Sequence, residues 1–346
     1  MIPNSYHLMV PCFSVFLKEN CFMYKLEQYR LDFMDHLGAK IKVKEPINLY
    51  EPFIYILNLG GKRLRPILTL MTADLFGAAP KNALDAALAI EVFHNFSLVH
   101  DDIMDEAPLR RGKMTLHKKW NLNTGILSGD AMLIYSYQLL ESYPAPIFKE
   151  LMQLFTKTAL EVCEGQQYDM DFENREDVSI PEYLLMVRNK TAVLVASAMK
   201  MGAIIANRPE EEQNLIYDFG KDLGIAFQLQ DDYLDAFGDP KSFGKQLGGD
   251  IIENKKTYLY LKAMEMGTLH QAQELEHLYS IKPMDPKEKI SSVKELFQET
   301  GAVAMTIEEI KSYTDNAFKT LEMLPLEPVK KAVLKQFGTA LMNREV

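Results

Sequence analysis

The chain has 346 residues, 47% of them hydrophobic, which is enough apolar side chain for a sizeable core and excludes an intrinsically disordered protein. Acidic residues outnumber basic ones, 48 to 38. The formal net charge of -10 argues against a nucleic-acid surface as the main business, so an anionic ligand has to be held by a local basic cluster. Cys12, Cys21 and Cys163 have no metal-ligand spacing and read as reduced thiols of a cytoplasmic protein.

Residues 1–22 are mildly apolar but have no basic leader, no long apolar centre and no small-residue cleavage site, so they do not read as a signal peptide. Pro3, Pro11, Lys18 and Glu19 interrupt them too often for a bilayer span. They are expected to be a poorly defined extension, with a possible translation start at Met23, ahead of a single domain over residues 23–346. From Tyr24 onward the helical period dominates and no run alternates long enough to argue for a sheet, so an all-helical fold is expected.

A helix over 51–59 is expected to stop at Gly60-Gly61, and the next to start with Pro66 in its first turn. Between them Lys62, Arg63 and Arg65 place three cations beside a helix N-terminus, an arrangement that suits phosphate but also describes a solvated turn. A long helix over 83–105 carries Asp101, Asp102 and Asp105 at its end. On a helix Asp105 lies ~40° round from Asp101 and one turn along, with Asp102 beside them, so three oxygen donors crowd one edge. Such a set suits a hard divalent ion such as Mg2+.

The loop that follows holds Arg110, Arg111, Lys113, His117, Lys118 and Lys119, an abrupt basic block in an acidic protein, of which Lys118 and Lys119 read best as solvated. Gly129-Asp130 opens another apolar helix that Pro144-Ala145-Pro146 closes. Helices are expected at 147–172 and 181–206. The second contains Lys190-Thr191, whose lysine either binds an anion or reaches out to water. A helix over 212–237 carries Gln228 and a second cluster of the same spacing, Asp231, Asp232 and Asp235, followed by a basic, glycine-containing loop with Lys245, Gly248, Gly249, Asp250, Lys255 and Lys256. From about Tyr258 to Val346 the pattern is helical, with proline breaks and no evident chemistry.

Two acidic clusters and three basic segments on a helical body point to an enzyme that holds diphosphates through bridging Mg2+. No phosphate-binding loop of the nucleotide-hydrolase type and no kinase loop is present, which makes nucleotide phosphoryl transfer a poor reading. Diphosphate as leaving group fits better, because cations stabilise the departing charge and no protein nucleophile is needed.

In chain order, Gly60-Gly61-Lys62-Arg63-Leu64-Arg65-Pro66, the block from Ser97 to Asp105 with Arg110-Arg111-Gly112, Gly129-Asp130, Lys190-Thr191, Phe227 to Asp235 with Phe237-Gly238-Asp239, and Gly244-Lys245 through Lys255 resemble a trans-isoprenyl diphosphate synthase of the polyprenyl synthetase family. The resemblance runs from about Tyr29 to the C-terminus. It implies ten or more helices around a deep central cavity, a homodimer, and three Mg2+ ions at the active site. It assigns Asp101, Asp102, Asp105, Asp231, Asp232 and Asp235 to metal and the allylic diphosphate, and Arg110, Lys190, Lys245 and Lys255 to that same diphosphate. Gly61, Lys62, Arg65, His94 and Arg111 would bind isopentenyl diphosphate, and Thr191, Gln228 and the carbonyl of Lys190 would face the allylic cation. Met114 stands where the family often has proline.

The same resemblance makes the residues below the first cluster, Phe96 and Ser97, set product length, with a bulky Phe96 blocking long chains. On an ideal helix Ser97 lies ~40° from Asp101 but Phe96 lies ~140° away, so a local kink, or Phe93 at ~80°, is the alternative floor. The expected product has fifteen or twenty carbons, twenty being favoured. The rival readings are a longer-chain synthase, a class I terpene cyclase, a phosphohydrolase using His94, His100 and Asp101, and a non-catalytic subunit of a heteromeric synthase.

Overall fold

The computed structural model describes the backbone of residues 11–239 and 247–342 and side chains from Lys25 onward. Lys245 and the first ten residues lie outside the described residues. The chain divides into two compact units, Met1–Ser142 and Tyr143–Val346.

In the first unit, α1 (Pro11–Lys40) begins upstream of the start expected at Met23, with Pro11 at its N-terminal end. Helix α2 (Ile47–Leu57) leads through Gly60 and Gly61, at φ +85° and +120°, into α3 (Leu64–Leu75), which has Pro66 in its first turn. A short 3-10 turn, Pro80–Ala83, precedes α4 (Leu84–Met104). Residues 86 to 93 of α4 are all buried, and a helix that is covered all round has to run through the middle of its unit. Helix α4 packs against α3 and against α6 (Leu122–Leu140). Phe33, Phe53 and Phe93 fill this core with no more than 1% of their surface exposed.

The expected basic loop is partly ordered instead. Leu109–Arg110 (β1) pairs antiparallel with Lys113–Met114 (β2), Arg110 lying opposite Lys113. Arg111 and Gly112 connect them with φ of +52° and +72°, as a two-residue type I′ turn requires. A four-residue helix, α5 (Leu116–Lys119), follows. Helix α6 starts at Leu122, where the Asn121 side chain accepts the Thr124 N–H at 2.9 Å, and not at Gly129. Gly129 sits inside α6 because a Cβ there would lie 2.3 Å from His100 Nε2.

The second unit holds α7 (Ala145–Glu173), α8 (Ile180–Val187), α9 (Val193–Ile205), α10 (Glu210–Phe237) and the short α11 (Gly249–Glu253). Helices α12 (Tyr258–Met266), α13 (Leu269–Ser280), α14 (Lys287–Glu299), α15 (Ala302–Met323) and α16 (Pro328–Met342) complete it. A capping box between Ser179 and Glu182 starts α8. Three glutamates in the first turn of α10 complement its dipole. Helix α10 packs on α9 and α15, with Phe155 and Phe219 fully buried in the core.

The helix expected over 181–206 is broken by a π turn at Arg188–Ala192, which contains Lys190 and Thr191. Such bulges arise where a helix is forced off its regular ladder. Gly165 on α7 leaves room for it: a Cβ there would lie 2.2 Å from the Lys190 backbone nitrogen, so the two backbones approach closely. The all-helical expectation holds, with the two-residue ribbon as its one exception among the described residues. No helix of the described residues is long and apolar enough to cross a membrane.

Candidate diphosphate and metal site

In the first unit, the glycine turn, the ribbon and α4 build a cation cluster. Arg111, aimed by its left-handed backbone, donates from Nη1 to the Gly60 carbonyl, and a Cβ on Gly61 would stand 2.8 Å from its guanidinium. Arg65 Nη1 lies 3.2 Å from His94 Nε2. Since a guanidinium only donates, His94 Nε2 accepts and the ring is neutral, with its proton on Nδ1. Burial, then the charges of Arg65, Arg111, Arg110 and Arg63, hold the His94 pKa well below its usual value. Burial and the Arg111 charge lower Arg65 too, with Glu91 opposing them. Arg65 Nε is a buried donor without a hydrogen-bond partner, as expected of a site that awaits an anion. Lys62 is exposed beside them.

Of the three cations predicted in this turn, Arg63 does not face the cluster. It is 4% exposed and donates to Glu91 Oε1 at 2.5 Å.

The three carboxylates at the end of α4 are not equivalent. Asp102 is 2% exposed, and both its oxygens accept from Arg110 Nε, at 2.9 and 2.8 Å. Arg110 Nη2 also reaches Asp101 Oδ2 at 3.4 Å. Asp105 caps the helix and is exposed. Asp102 therefore orients Arg110, while Asp101 and Asp105 lie further out. Phe96 is held between Phe93 and His100, with ring centroids 5.4 and 4.8 Å apart. Helix α4 runs unbroken past it, without the kink considered above. Ser97 turns its hydroxyl back to the His94 carbonyl at 2.8 Å.

In the second unit, a cavity of about 250 Å³ is lined by Lys190, Thr191, Gln228, Asp231, Asp232 and Asp235 among others. Thr191 Oγ1 donates to Gln228 Oε1 at 3.1 Å, and Gln228 Nε2 donates to Asp232 Oδ1 at 3.0 Å. Tyr183 donates its hydroxyl to Asp232 Oδ2. This chain fixes which way the Gln228 amide points. Lys190 Nζ pairs with Asp169 Oδ2 at 2.6 Å.

Three residues went unremarked or unassigned in the sequence. Asp169 sits in an ordinary amphipathic helix with nothing to single it out. Tyr183 reads as core. Asp250 follows Gly248-Gly249 and was legible only as part of a loop, yet its backbone N–H donates to Asp235 Oδ2 at 3.0 Å and brings its own carboxylate to the cavity.

Burial pushes Asp232 up to about 6 against the hydrogen bonds of Tyr183 and Gln228. Burial, then the charges of Asp232 and Asp235, push Asp250 up to about 8. Lys255 is raised although burial opposes it, by the carboxylates of Asp250, Glu253 and Asp169. Crowded carboxylates of this kind are relieved by a hard divalent cation, and oxygen donors suit Mg2+. Among the described residues no three acidic, His or Cys side chains converge on one metal position.

Comparison with known proteins follows the same direction. The sequence pattern of the family described as polyprenyl synthetase matches residues 46–299. The chain is 38% identical over 308 residues to a geranylgeranyl pyrophosphate synthase of Geoglobus acetivorans, covering 88% of this chain and 93% of that protein. It is 35% identical over 326 residues to a geranylfarnesyl diphosphate synthase of Natronomonas pharaonis, covering 89% and 93%. A crystal structure of a geranylgeranyl pyrophosphate synthase superposes with a TM-score of 0.89 at 54% identity, covering 93% of this chain and 99% of the other. With the family pattern extending over most of its length and these relatives matched nearly end to end, the chain belongs to the polyprenyl synthetase family.

Proposed function

We propose that the protein is a short-chain prenyltransferase that condenses isopentenyl diphosphate with an allylic diphosphate to give a trans product of twenty carbons, and that both compact units belong to one catalytic domain. The observation that carries this reading is the network Thr191–Gln228–Asp232 beside Lys190 and Asp169, which brings carboxylates, a cation and a hydroxyl to the lining of one cavity. With a divalent cation on its carboxylates, such a lining would stabilise a departing diphosphate.

Arg110, Lys190 and Lys255 are the cations that would hold the allylic diphosphate, with Lys245 as a further candidate. Asp101, Asp102, Asp105, Asp231, Asp232 and Asp235 are the carboxylates that would hold metal, Asp102 being paired with Arg110 and Asp232 with Tyr183 and Gln228. Mg2+, when bound, neutralises the diphosphate and makes it a better leaving group. The C–O bond breaks with its electron pair on the diphosphate. Because Thr191 gives its hydroxyl hydrogen to Gln228, its oxygen lone pairs remain available to face the allylic cation. The isopentenyl double bond, its diphosphate held by Lys62, Arg65, His94 and Arg111, attacks that cation, and the diphosphate released in the first step takes the proton whose loss completes the product.

Phe96 is the favoured chain-length residue, buried at 8% exposure, with Phe93 behind it. Ile126, Leu127 and Ile134 leave one face of α6 apolar and exposed, which supports a homodimer. A solution mass of twice one chain would agree, and a monomer mass would contradict it. The function is tested by incubating the protein with isopentenyl and farnesyl diphosphates. Condensation abolished by a chelator and restored by Mg2+ is expected; condensation that is indifferent to divalent cations would sink the reading.

A further inference from the structure

Arg63 occupies an unusual place for an arginine in a phosphate-binding turn. It precedes α3 in the left-handed region, at φ +50°, and its side chain runs inward, away from exposed Lys62. Nη1 donates to Glu91 Oε1 at 2.5 Å and Nη2 donates to the carbonyl of Leu57, the last residue of α2. Glu91 is itself 3% exposed and accepts from Asn95 Nδ2 at 3.1 Å. Three residues along α4 from Glu91 stands His94, the partner of Arg65. One guanidinium thus ties the turn to the end of α2 and to the stretch of α4 that carries His94.

The tie has a physical reason. Gly60 and Gly61 both lie at positive φ, and two successive glycines leave a chain free to wander unless something fixes the far end. Arg63 fixes it. Its two terminal nitrogens donate to protein oxygens and it is almost wholly buried, which turns it away from a ligand. Glu91 also places one negative charge beneath Arg65 and Arg111 and tempers their mutual repulsion.

We propose that Arg63 and Glu91 are a positioning pair that sets the distance between the cations of the glycine turn and His94, and thereby the affinity of the isopentenyl diphosphate subsite, without touching the ligand. This rests on the function proposed above.

The test uses full-length Arg63→Met and Arg63→Lys, with each substrate varied separately. Arg63→Met raises the KM for isopentenyl diphosphate about tenfold or more, leaves the allylic KM within about twofold, and leaves kcat at saturation within about threefold. Arg63→Lys, which keeps the charge but reaches fewer acceptors, recovers part of the loss. A lower melting temperature with both KM values unchanged would make Arg63 purely structural, and an equal rise in both would mean general collapse; either overturns the proposal. If Arg63→Met does not fold, Glu91→Gln keeps an acceptor oxygen and removes the charge, and its isopentenyl KM rises by about threefold or more. An unchanged KM overturns the pair. Should the wild-type protein not condense the substrates at all, the function fails separately. Calorimetric titration of inorganic diphosphate without divalent cation then decides the pair, an affinity loss of about tenfold in Arg63→Met supporting it and equal affinity refuting it.

Discussion

Asp102 and Asp250 show how residue-scale environment decides what a carboxylate does. Asp102 has both oxygens on Arg110, so Asp102→Asn acts mainly through that guanidinium, whereas Asp101 meets it through a longer 3.4 Å contact. The expected split is a raised allylic KM for Asp102→Asn, and for Asp101→Asn a higher Mg2+ requirement with kcat down by about 10² or more; Mg2+ titration of activity in both variants checks it. Asp250 is held above its ordinary value of 3.8, at about 8, by burial and by Asp232 and Asp235. A carboxyl whose folded pKa is raised contributes stability that is complete below about 3.8 and is lost as pH rises through about 8. Without divalent cation, the melting temperature is therefore expected to fall from pH 5 to pH 8, and Asp250→Asn flattens that fall. Added Mg2+ should stabilise more at pH 8 than at pH 6, since protons no longer compete. A melting temperature that rises over this range in the cation-free protein would refute the assignment.

At the scale of elements, the π turn at 188–192 and the ribbon at 109–114 are departures from regular helix, and both carry residues proposed for the site. Gly165→Ala pushes a methyl against the Lys190 backbone, which cannot yield as a side-chain tip would. The expected result is kcat reduced by about tenfold or more, because a displacement near 1 Å of positioned groups has large kinetic effects; unchanged kcat would show that the π turn tolerates the shift. Neither departure was visible in sequence. The pattern around Lys190 is apolar on both sides and continues in phase, and the cause of the break lies on α7, far away in the chain. The ribbon is two residues per strand, too short for any alternation to register, and Arg-Gly is a weaker turn signal than Asn-Gly. Gly129 misled for a related reason. Gly129-Asp130 suggests a helix boundary, whereas the glycine lets His100 approach the middle of α6. Helix ends with local chemical causes were legible: α2 into its glycine turn, and α10 to Phe237 before Gly238.

For the molecule as a whole, the fold class and the chemistry were legible because they rest on repeated local patterns: helical period throughout, and Asp-Asp-x-x-Asp twice, each beside cations. What was not legible is which of equivalent-looking residues faces inward. Arg63 and Arg65 are both arginines of one short turn, yet one is buried on Glu91 and the other meets His94. Asp169, Tyr183 and Asp250 line the cavity of the second unit from positions that no local motif singles out. The central claim is that this helical protein joins five-carbon units until Phe96 stops the chain. Product length measures it most directly: purified protein, Mg2+, labelled isopentenyl diphosphate and farnesyl diphosphate as primer, resolved by reversed-phase chromatography beside Phe96→Ala. A twenty-carbon product from the wild-type protein and longer products from Phe96→Ala are expected. No condensation with dimethylallyl, geranyl or farnesyl primer would contradict the function, and a wild-type product well beyond twenty carbons, unmoved by Phe96→Ala, would contradict the floor.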